Sequence, residues 1–181
     1  MDNVKKFMLR HGMNADRVEL ERYSKAFYEC MERGLGENQE KVPMIPTYLR
    51  LAGQLPKNKK AAVIDAGGTN YRTALISFGD RGCSIENIER SPMPGTLLPA
   101  HWSDFIKRTA SAIEPLLSET DLIGFCFSYP AEVTPDIDSR ALGLTKQVKL
   151  LGAQGRLLGA DLNAEFERRG LGKKKIVVLN D

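Results

Sequence analysis

The sequence predicts an α/β protein with a five-stranded mixed sheet flanked by helices, preceded by an N-terminal helical segment. Two observations support this class. Three short apolar or alternating stretches follow one another between residues 61 and 90, which is typical of strands joined by tight turns. Two stretches with helical spacing then each lead into another apolar strand, which indicates parallel crossovers.

Two helices are predicted before the sheet. The first has its apolar positions at Val4, Phe7 and Met8, and the second at Leu20, Tyr23, Phe27 and Cys30. Asp16 with Glu19 three residues later predicts a capping box for the second helix. Prolines after residue 42 exclude regular helix, so we predict a helical leader and extended connector over 1–58 and an α/β domain over 59–181.

The elements of the α/β domain follow in order. Strands are predicted at AAVID (61–65), YRTALISF (71–78), SIENIER (84–90), LIGFCFSYP (122–130) and KIVVLND (175–181). One helix is predicted from Trp102, Phe105, Ile106, Thr109 and Ile113, and another from Leu158, Leu162 and Phe166. Gly170 is expected to end the second of these helices.

Composition narrows the classes of function. The net charge of +3 is small and its charges are scattered, so we expect no nucleic-acid partner. No stretch approaches the roughly 18 consecutive apolar residues of a membrane span, and we expect a cytoplasmic protein. The three cysteines are far apart and are predicted to be reduced core thiols.

The most informative stretch is DAGGTNYR, from Asp65 to Arg72. Gly67 and Gly68 let the backbone turn sharply, so that bare N–H groups can bind phosphate, and Thr69 can donate its hydroxyl. Asp65 is a hard oxygen ligand suited to Mg²⁺, directly or through water. A strand follows the glycines, whereas Walker loops and dinucleotide folds continue into a helix. An ordinary hairpin with Gly-Gly at its tip is the alternative.

Other segments, which follow one another in the same order as in a known family, help to interpret this stretch. DAGGTNYR resembles the first phosphate motif of the hexokinase family, within the actin and sugar-kinase superfamily. The other segments similar to that family are MERGL with MIPTY (44–48), LIGFCFSYP, LTK (144–146), and RRGL with VVLND. The resemblance covers nearly all residues from about 20 onward and implies the family's N-terminal small lobe, with a ribonuclease H-like fold.

This resemblance implies an enzyme that transfers the terminal phosphoryl group of Mg-ATP to a hexose, with glucose and its 6-hydroxyl expected. Asp181 follows a strand, and we expect it to accept the hydroxyl proton. Lys146 would neutralise charge on the transferred group. The expected sugar contacts are Ser128, Thr145, Lys146, Asn180 and Asp181, and the expected contacts to Mg-ATP are Asp65, Gly67, Gly68, Thr69, Asn70 and Arg72. Arg72 has the alternative of a structural ion pair.

Departures from the family pattern leave the sugar preference open. Ala131 and Glu132 stand where cysteine and glutamine are usual, Leu144 where tryptophan is common, and Gln147 where glycine is common. A kinase for mannose, fructose or an amino sugar is one alternative, and a non-catalytic hexose sensor or regulatory module is another. The family's larger lobe follows the catalytic aspartate, so we expect this chain to be an inactive fragment, with exposed N-terminal helices that can self-associate.

Overall fold

The structure is a computed structural model, and it describes residues 2–36, 42, 44–49, 57–80, 82–144 and 148–180. The chain divides into two compact units, residues 1–45 and 46–181, which are described separately below. The predicted boundary between residues 58 and 59 stays a prediction, because residues 50–56 lie outside the described part of the chain.

The first unit contains two amphipathic helices, α1 (Asn3–Arg10) and α2 (Leu20–Gly34). Both helices are confirmed, but the predicted capping box is wrong. Asp16 belongs to a separate 3₁₀ turn, Ala15–Arg17, and the side chain of Glu19 makes no capping hydrogen bond. Most apolar side chains of both helices are exposed, among them Phe7 and Phe27, and self-association through them stays a prediction. Among the described residues, no helix is long and apolar enough to span a bilayer.

The second unit is built on the five-stranded mixed sheet that the sequence predicts. Its strands are β1 (Lys59–Ala66), β2 (Asn70–Gly79), β3 (Gly82–Pro92), β5 (Leu122–Phe127) and β9 (Lys175–Asn180). A two-residue strand outside this sheet, β4 (Ala100–His101), lies between β3 and β5 in the sequence. The order across the sheet is β3-β2-β1-β5-β9. The first three strands are antiparallel neighbours, and β1, β5 and β9 are parallel.

Two helices cover one face of this sheet, α3 (Trp102–Ile113) and α4 (Leu158–Arg168). Alternate strand residues point toward them and are buried, among them Ile64, Phe125 and Val178. The helices contribute fully buried side chains to the same core, including Phe105 and Phe166. Because burial of apolar area drives folding, this face holds the unit together.

Three more short strands were, like β4, not predicted. They are β6 (Ala131–Val133), β7 (Ser139–Ala141) and β8 (Leu150–Leu151). β6 and β7 form a hairpin, and β8 pairs with β4. Strands of two or three residues are too short to show periodicity, which is why the sequence pattern does not reveal them.

Charged side chains fasten α4 at both ends. At its N-terminus the carboxylate of Asp138 accepts hydrogen bonds from the N–H groups of Gly159 at 2.6 Å and Ala160 at 2.9 Å. In the last turn Glu165 accepts from two arginines, and one of them, Arg169, reaches across to the backbone of α3. The N–H groups of a helix start need such acceptors, so Asp138 takes the role of a cap from a distant segment.

The prediction of core thiols is wrong. None of the three cysteines forms a disulfide, but Cys83 is exposed on the edge strand β3, and Cys30 and Cys126 are only partly buried. Cys126 lies on the face of β5 opposite the helix-covered core, because it alternates with the buried Phe125 and Phe127.

Candidate functional site

The three parallel strands of the sheet end at the same level. Ala66, Phe127 and Asn180 are register partners across β1, β5 and β9. The segments that follow β1 and β5 are therefore neighbours, and the N–H of Ser128 donates to the carbonyl of Ala66 at 3.2 Å. The glycine turn and two predicted sugar contacts, Ser128 and Asn180, thus lie along one sheet edge. In open α/β sheets the carboxyl ends of parallel strands are where ligands bind.

Hydrogen bonds to its carbonyl groups fix the glycine turn after β1, residues 67–70. The N–H of Gly67 donates to the carbonyl of Asn70 at 2.9 Å, which closes the turn between β1 and β2. The N–H of Met93 donates to the carbonyl of Thr69 at 3.0 Å. Among the described residues, none accepts a hydrogen bond from the N–H groups of Gly68 and Thr69. Their predicted role in binding phosphate stays a prediction.

Tyr129 is a part of the site that sequence reasoning missed. Its side chain is 2% exposed, and its hydroxyl donates to the carbonyl of Gly67 at 2.7 Å. Burial raises the pKa of Tyr129 to about 12, so the phenol keeps its proton at neutral pH. The signal was present in the motif FSYP, where a tyrosine follows Ser128, but an apolar strand end is usually interpreted as packing.

Asp65 and Arg72 form an ion pair beside the turn. They are opposite each other in the antiparallel pairing of β1 and β2, and Arg72 Nη1 lies 2.6 Å from Asp65 Oδ2. This confirms the ion-pair alternative for Arg72. The two side chains are 40% exposed for Asp65 and 44% for Arg72, so water reaches the carboxylate. Mg²⁺ needs only one or two protein carboxylates when phosphates and waters complete its shell, and Asp65 fits that pattern.

Asn180 uses both of its amide hydrogens within the protein. Its Nδ2 donates to the carbonyl of Phe127 at 2.8 Å and to the carbonyl of Tyr129 at 2.6 Å. The side chain therefore spans Ser128 and fixes the backbone where β5 ends. Its Oδ1 is a hydrogen-bond acceptor, and the expected contact of Asn180 with a sugar hydroxyl stays a prediction.

Three of the predicted site residues, Thr145, Lys146 and Asp181, lie outside the described residues. Asp181 directly follows Asn180 in sequence, and Thr145 follows Leu144, which packs against the core. In the described part of the chain, no group of three or more histidine, cysteine or acidic side chains is arranged to hold a metal ion.

Comparison with known proteins shows the family to which the chain belongs. The sequence model of the hexokinase family matches residues 5–181. Human Hexokinase-2 is 28% identical over 173 residues, which covers 90% of this chain and 19% of the human protein. Hexokinase-1 of Schizosaccharomyces pombe is 26% identical over 170 residues, covering 90% of this chain and 35% of the yeast protein.

Solved structures agree in fold. A hexokinase from Schistosoma mansoni complexed with glucose matches with a TM-score of 0.67 and 22% identity, over 84% of this chain and 36% of that one. Another hexokinase crystal structure matches with a TM-score of 0.60 and 19% identity, over 89% of this chain and 41% of that one. The chain thus spans less than half the length of these relatives. With its five-stranded mixed sheet confirmed and nearly its whole length matched, the chain belongs to the hexokinase family.

Proposed function

We propose that this protein phosphorylates a hexose, with glucose and its 6-hydroxyl as the expected substrate and acceptor, at the expense of Mg-ATP. The observation that carries the proposal is the common edge of β1, β5 and β9. There the N–H groups of Gly68 and Thr69, which have no acceptor among the described residues, lie at the same sheet edge as Ser128 and Asn180. An anion site next to hydroxyl-binding groups is what phosphoryl transfer to a sugar requires.

Each residue has a role in this proposal. The N–H groups of Gly68 and Thr69 bind the outer phosphates, and Gly67 and Asn70 close the turn that presents them. Asp65 holds Mg²⁺ through water, because Arg72 already contacts its carboxylate. Mg²⁺ would neutralise phosphate charge during transfer. The sugar-side groups are Ser128, Thr145, Asn180, Lys146 and Asp181, with Lys146 neutralising the moving phosphoryl group and Asp181 accepting the proton of the attacking hydroxyl.

We also propose that the 181-residue chain alone is inactive. It spans 19% of human Hexokinase-2 and 35% of the S. pombe Hexokinase-1, so this chain does not supply the groups that those relatives carry outside the matched region. A coupled assay of ADP release from this chain should show no hexose-dependent turnover. Measurable turnover by the chain alone would contradict the proposal of an inactive fragment, while leaving the proposed reaction intact.

The test of the reaction itself uses the complete gene product and the Asp181→Asn variant. Loss of a general base typically lowers kcat by about 10²–10⁴-fold, while hexose affinity measured by calorimetry should change little. Asp80→Asn is the matched control, because Asp80 is 75% exposed and follows β2 at the opposite end of the sheet. If the wild type binds hexose and forms no sugar phosphate with Mg-ATP, the protein is a sensor.

A further inference from the structure

The peptide unit between Gly67 and Gly68 has a defined orientation. The structure has no cis peptide bond among its described residues, so the C=O and N–H of this unit point in opposite directions. The carbonyl of Gly67 points toward the hydroxyl of Tyr129, 2.7 Å away. The N–H of Gly68 is therefore turned away from Tyr129, and no described residue accepts a hydrogen bond from it.

This peptide unit needs a restraint because both of its residues are glycines. Without Cβ atoms the backbone can rotate the unit at little steric cost. A rotated unit would direct the carbonyl oxygen of Gly67 outward, where it would repel an anion that the Gly68 N–H would attract. The same turn is restrained at its far end, where the N–H of Met93 holds the carbonyl of Thr69. At the near end, the Tyr129 hydroxyl is the donor that the structure provides.

Tyr129 is itself rigidly placed. Its ring packs against Phe127 with 5.2 Å between ring centroids, and its side chain is 2% exposed. Its own carbonyl accepts a hydrogen bond from Asn180 Nδ2 at 2.6 Å. The hydroxyl also lies 3.5 Å from the carbonyl of Gly68, a longer contact that adds little to the bond with Gly67. A buried, protonated phenol on a fixed backbone is a suitable fixed donor.

We propose that Tyr129 is a positioning residue of the phosphate turn: its hydroxyl holds the Gly67–Gly68 peptide with the Gly68 N–H facing the bound anion. The identification of that anion as the outer phosphates of a nucleotide rests on the proposed function. The orientation of the peptide does not, since it follows from the hydrogen bond alone. Tyr129 would not touch the substrate, and its effect would be confined to the phosphate side of the site.

The test compares Tyr129→Phe with Tyr71→Phe in the 181-residue chain. Both substitutions remove one buried phenolic hydroxyl, since Tyr71 is 3% exposed. The hydroxyl of Tyr71 lies beside Thr109 and makes no hydrogen bond to the glycine turn, although Tyr71 is only one position past that turn. Tyr71→Phe therefore controls for loss of a hydroxyl from the core without loss of the bond to Gly67.

The first measurement needs no ligand. ¹⁵N relaxation and amide hydrogen exchange of Gly68 are recorded by NMR in the wild type and both variants. Tyr129→Phe should increase the mobility of the Gly68 amide, whereas Tyr71→Phe should leave it as in the wild type. A Gly68 amide that is unchanged in Tyr129→Phe overturns the proposal, whether or not the chain binds a nucleotide.

The second measurement titrates the same samples with Mg-ADP and, separately, with glucose, following the amide shifts. Loss of one hydrogen bond corresponds to about a three- to tenfold weaker affinity, so Tyr129→Phe should need about that much more Mg-ADP. Glucose affinity should stay unchanged, which distinguishes positioning of the turn from general damage to the domain. Equal weakening for both ligands overturns the proposal. If Mg-ADP shifts no amide of the wild-type turn, the proposed binding of nucleotide phosphates at this turn is wrong. The mobility of the Gly68 amide in the first measurement then decides the role of Tyr129.

Discussion

The carboxylate of Glu165 forms one of the links between α3 and α4, and Glu165→Gln tests it. The side chain of Glu165 is 8% exposed and accepts hydrogen bonds from Arg168 Nε at 2.8 Å and Arg169 Nε at 2.7 Å. Arg169 in turn donates to the carbonyl of Lys107 and pairs with Glu114, both on the α3 side. Glutamine keeps the shape of the side chain but loses its charge. The hydrogen bond that holds Arg169, the arginine that joins the two helices, is therefore weakened.

The expected change in the free energy of unfolding follows from the pKa of Glu165. Hydrogen bonds from Arg168, and then from Arg169, outweigh burial and lower the pKa of Glu165 from 4.5 to about 2. A shift of that size corresponds to at most about 3 kcal/mol of unfolding free energy. Arg168 is 63% exposed, and solvent weakens its share of the interaction. We therefore expect Glu165→Gln to lower the free energy of unfolding by about 2 kcal/mol, or the Tm by roughly 4–8 °C.

The pH dependence has a definite sign. Because the folded-state pKa lies below the ordinary value of 4.5, the contribution of Glu165 is complete above pH 4.5. It is lost progressively as the pH falls from 4.5 to about 2, when the folded protein also takes up the proton. The difference between wild type and Glu165→Gln should therefore be full at pH 7 and clearly smaller at pH 3.

The assay is urea unfolding followed by circular dichroism at both pH values. Glu167→Gln is the matched control, because Glu167 is exposed on the same helix and forms no ion pair with a described residue. It should change the free energy of unfolding by less than about 0.5 kcal/mol. The reasoning would be refuted by a wild-type to Glu165→Gln difference that is the same at pH 7 and pH 3, or by an equal loss in Glu167→Gln.

Three further changes test other contacts. Asp138→Ala removes the acceptor for the first amides of α4, and unfolding should become easier by about 2 kcal/mol; a loss below about 0.5 kcal/mol would contradict the cap. Gly95→Ala places a Cβ 2.8 Å from the carbonyl of Lys149, at a residue whose φ is +88°. Thermal unfolding should therefore show a loss of at least about 2 kcal/mol in the free energy of unfolding, and wild-type stability would contradict this prediction. Asn180→Ala leaves the carbonyls of Phe127 and Tyr129 without their donor, so glucose affinity measured by calorimetry should fall about tenfold. Unchanged affinity would show that the Asn180 amide does not position the proposed sugar contacts.

The regular elements of the α/β unit could be predicted from sequence because each has a clear period. The alternation in YRTALISF corresponds to β2, and the spacing from Trp102 to Ile113 corresponds to α3, with no change at either helix end. The capping box at Asp16 failed for a physical reason. Asp16 forms a separate 3₁₀ turn with its neighbours, so its side chain is not placed at the start of α2.

Much of the candidate site was predictable as a list of residues but not as an arrangement. Asp65 and the glycines were found from their chemistry, and parallel strands implied that Ser128 and Asn180 would share their edge. The bonds of Tyr129 to Gly67 and of Asn180 to two carbonyls join segments more than 50 positions apart. No local pattern contains such pairs, because they follow from strand order and register rather than from neighbouring residues.

The carbonyl groups of the glycine turn are secured by Met93, Tyr129 and the turn's own Gly67 amide before any ligand arrives. The entropy of ordering this segment is therefore lost when the domain folds, and an incoming anion has little left to immobilise. Association with such a preformed loop needs no slow rearrangement of the turn itself. A collision in the right orientation is then sufficient for capture, and differences in affinity among turn variants should be expressed mainly in how fast the anion leaves.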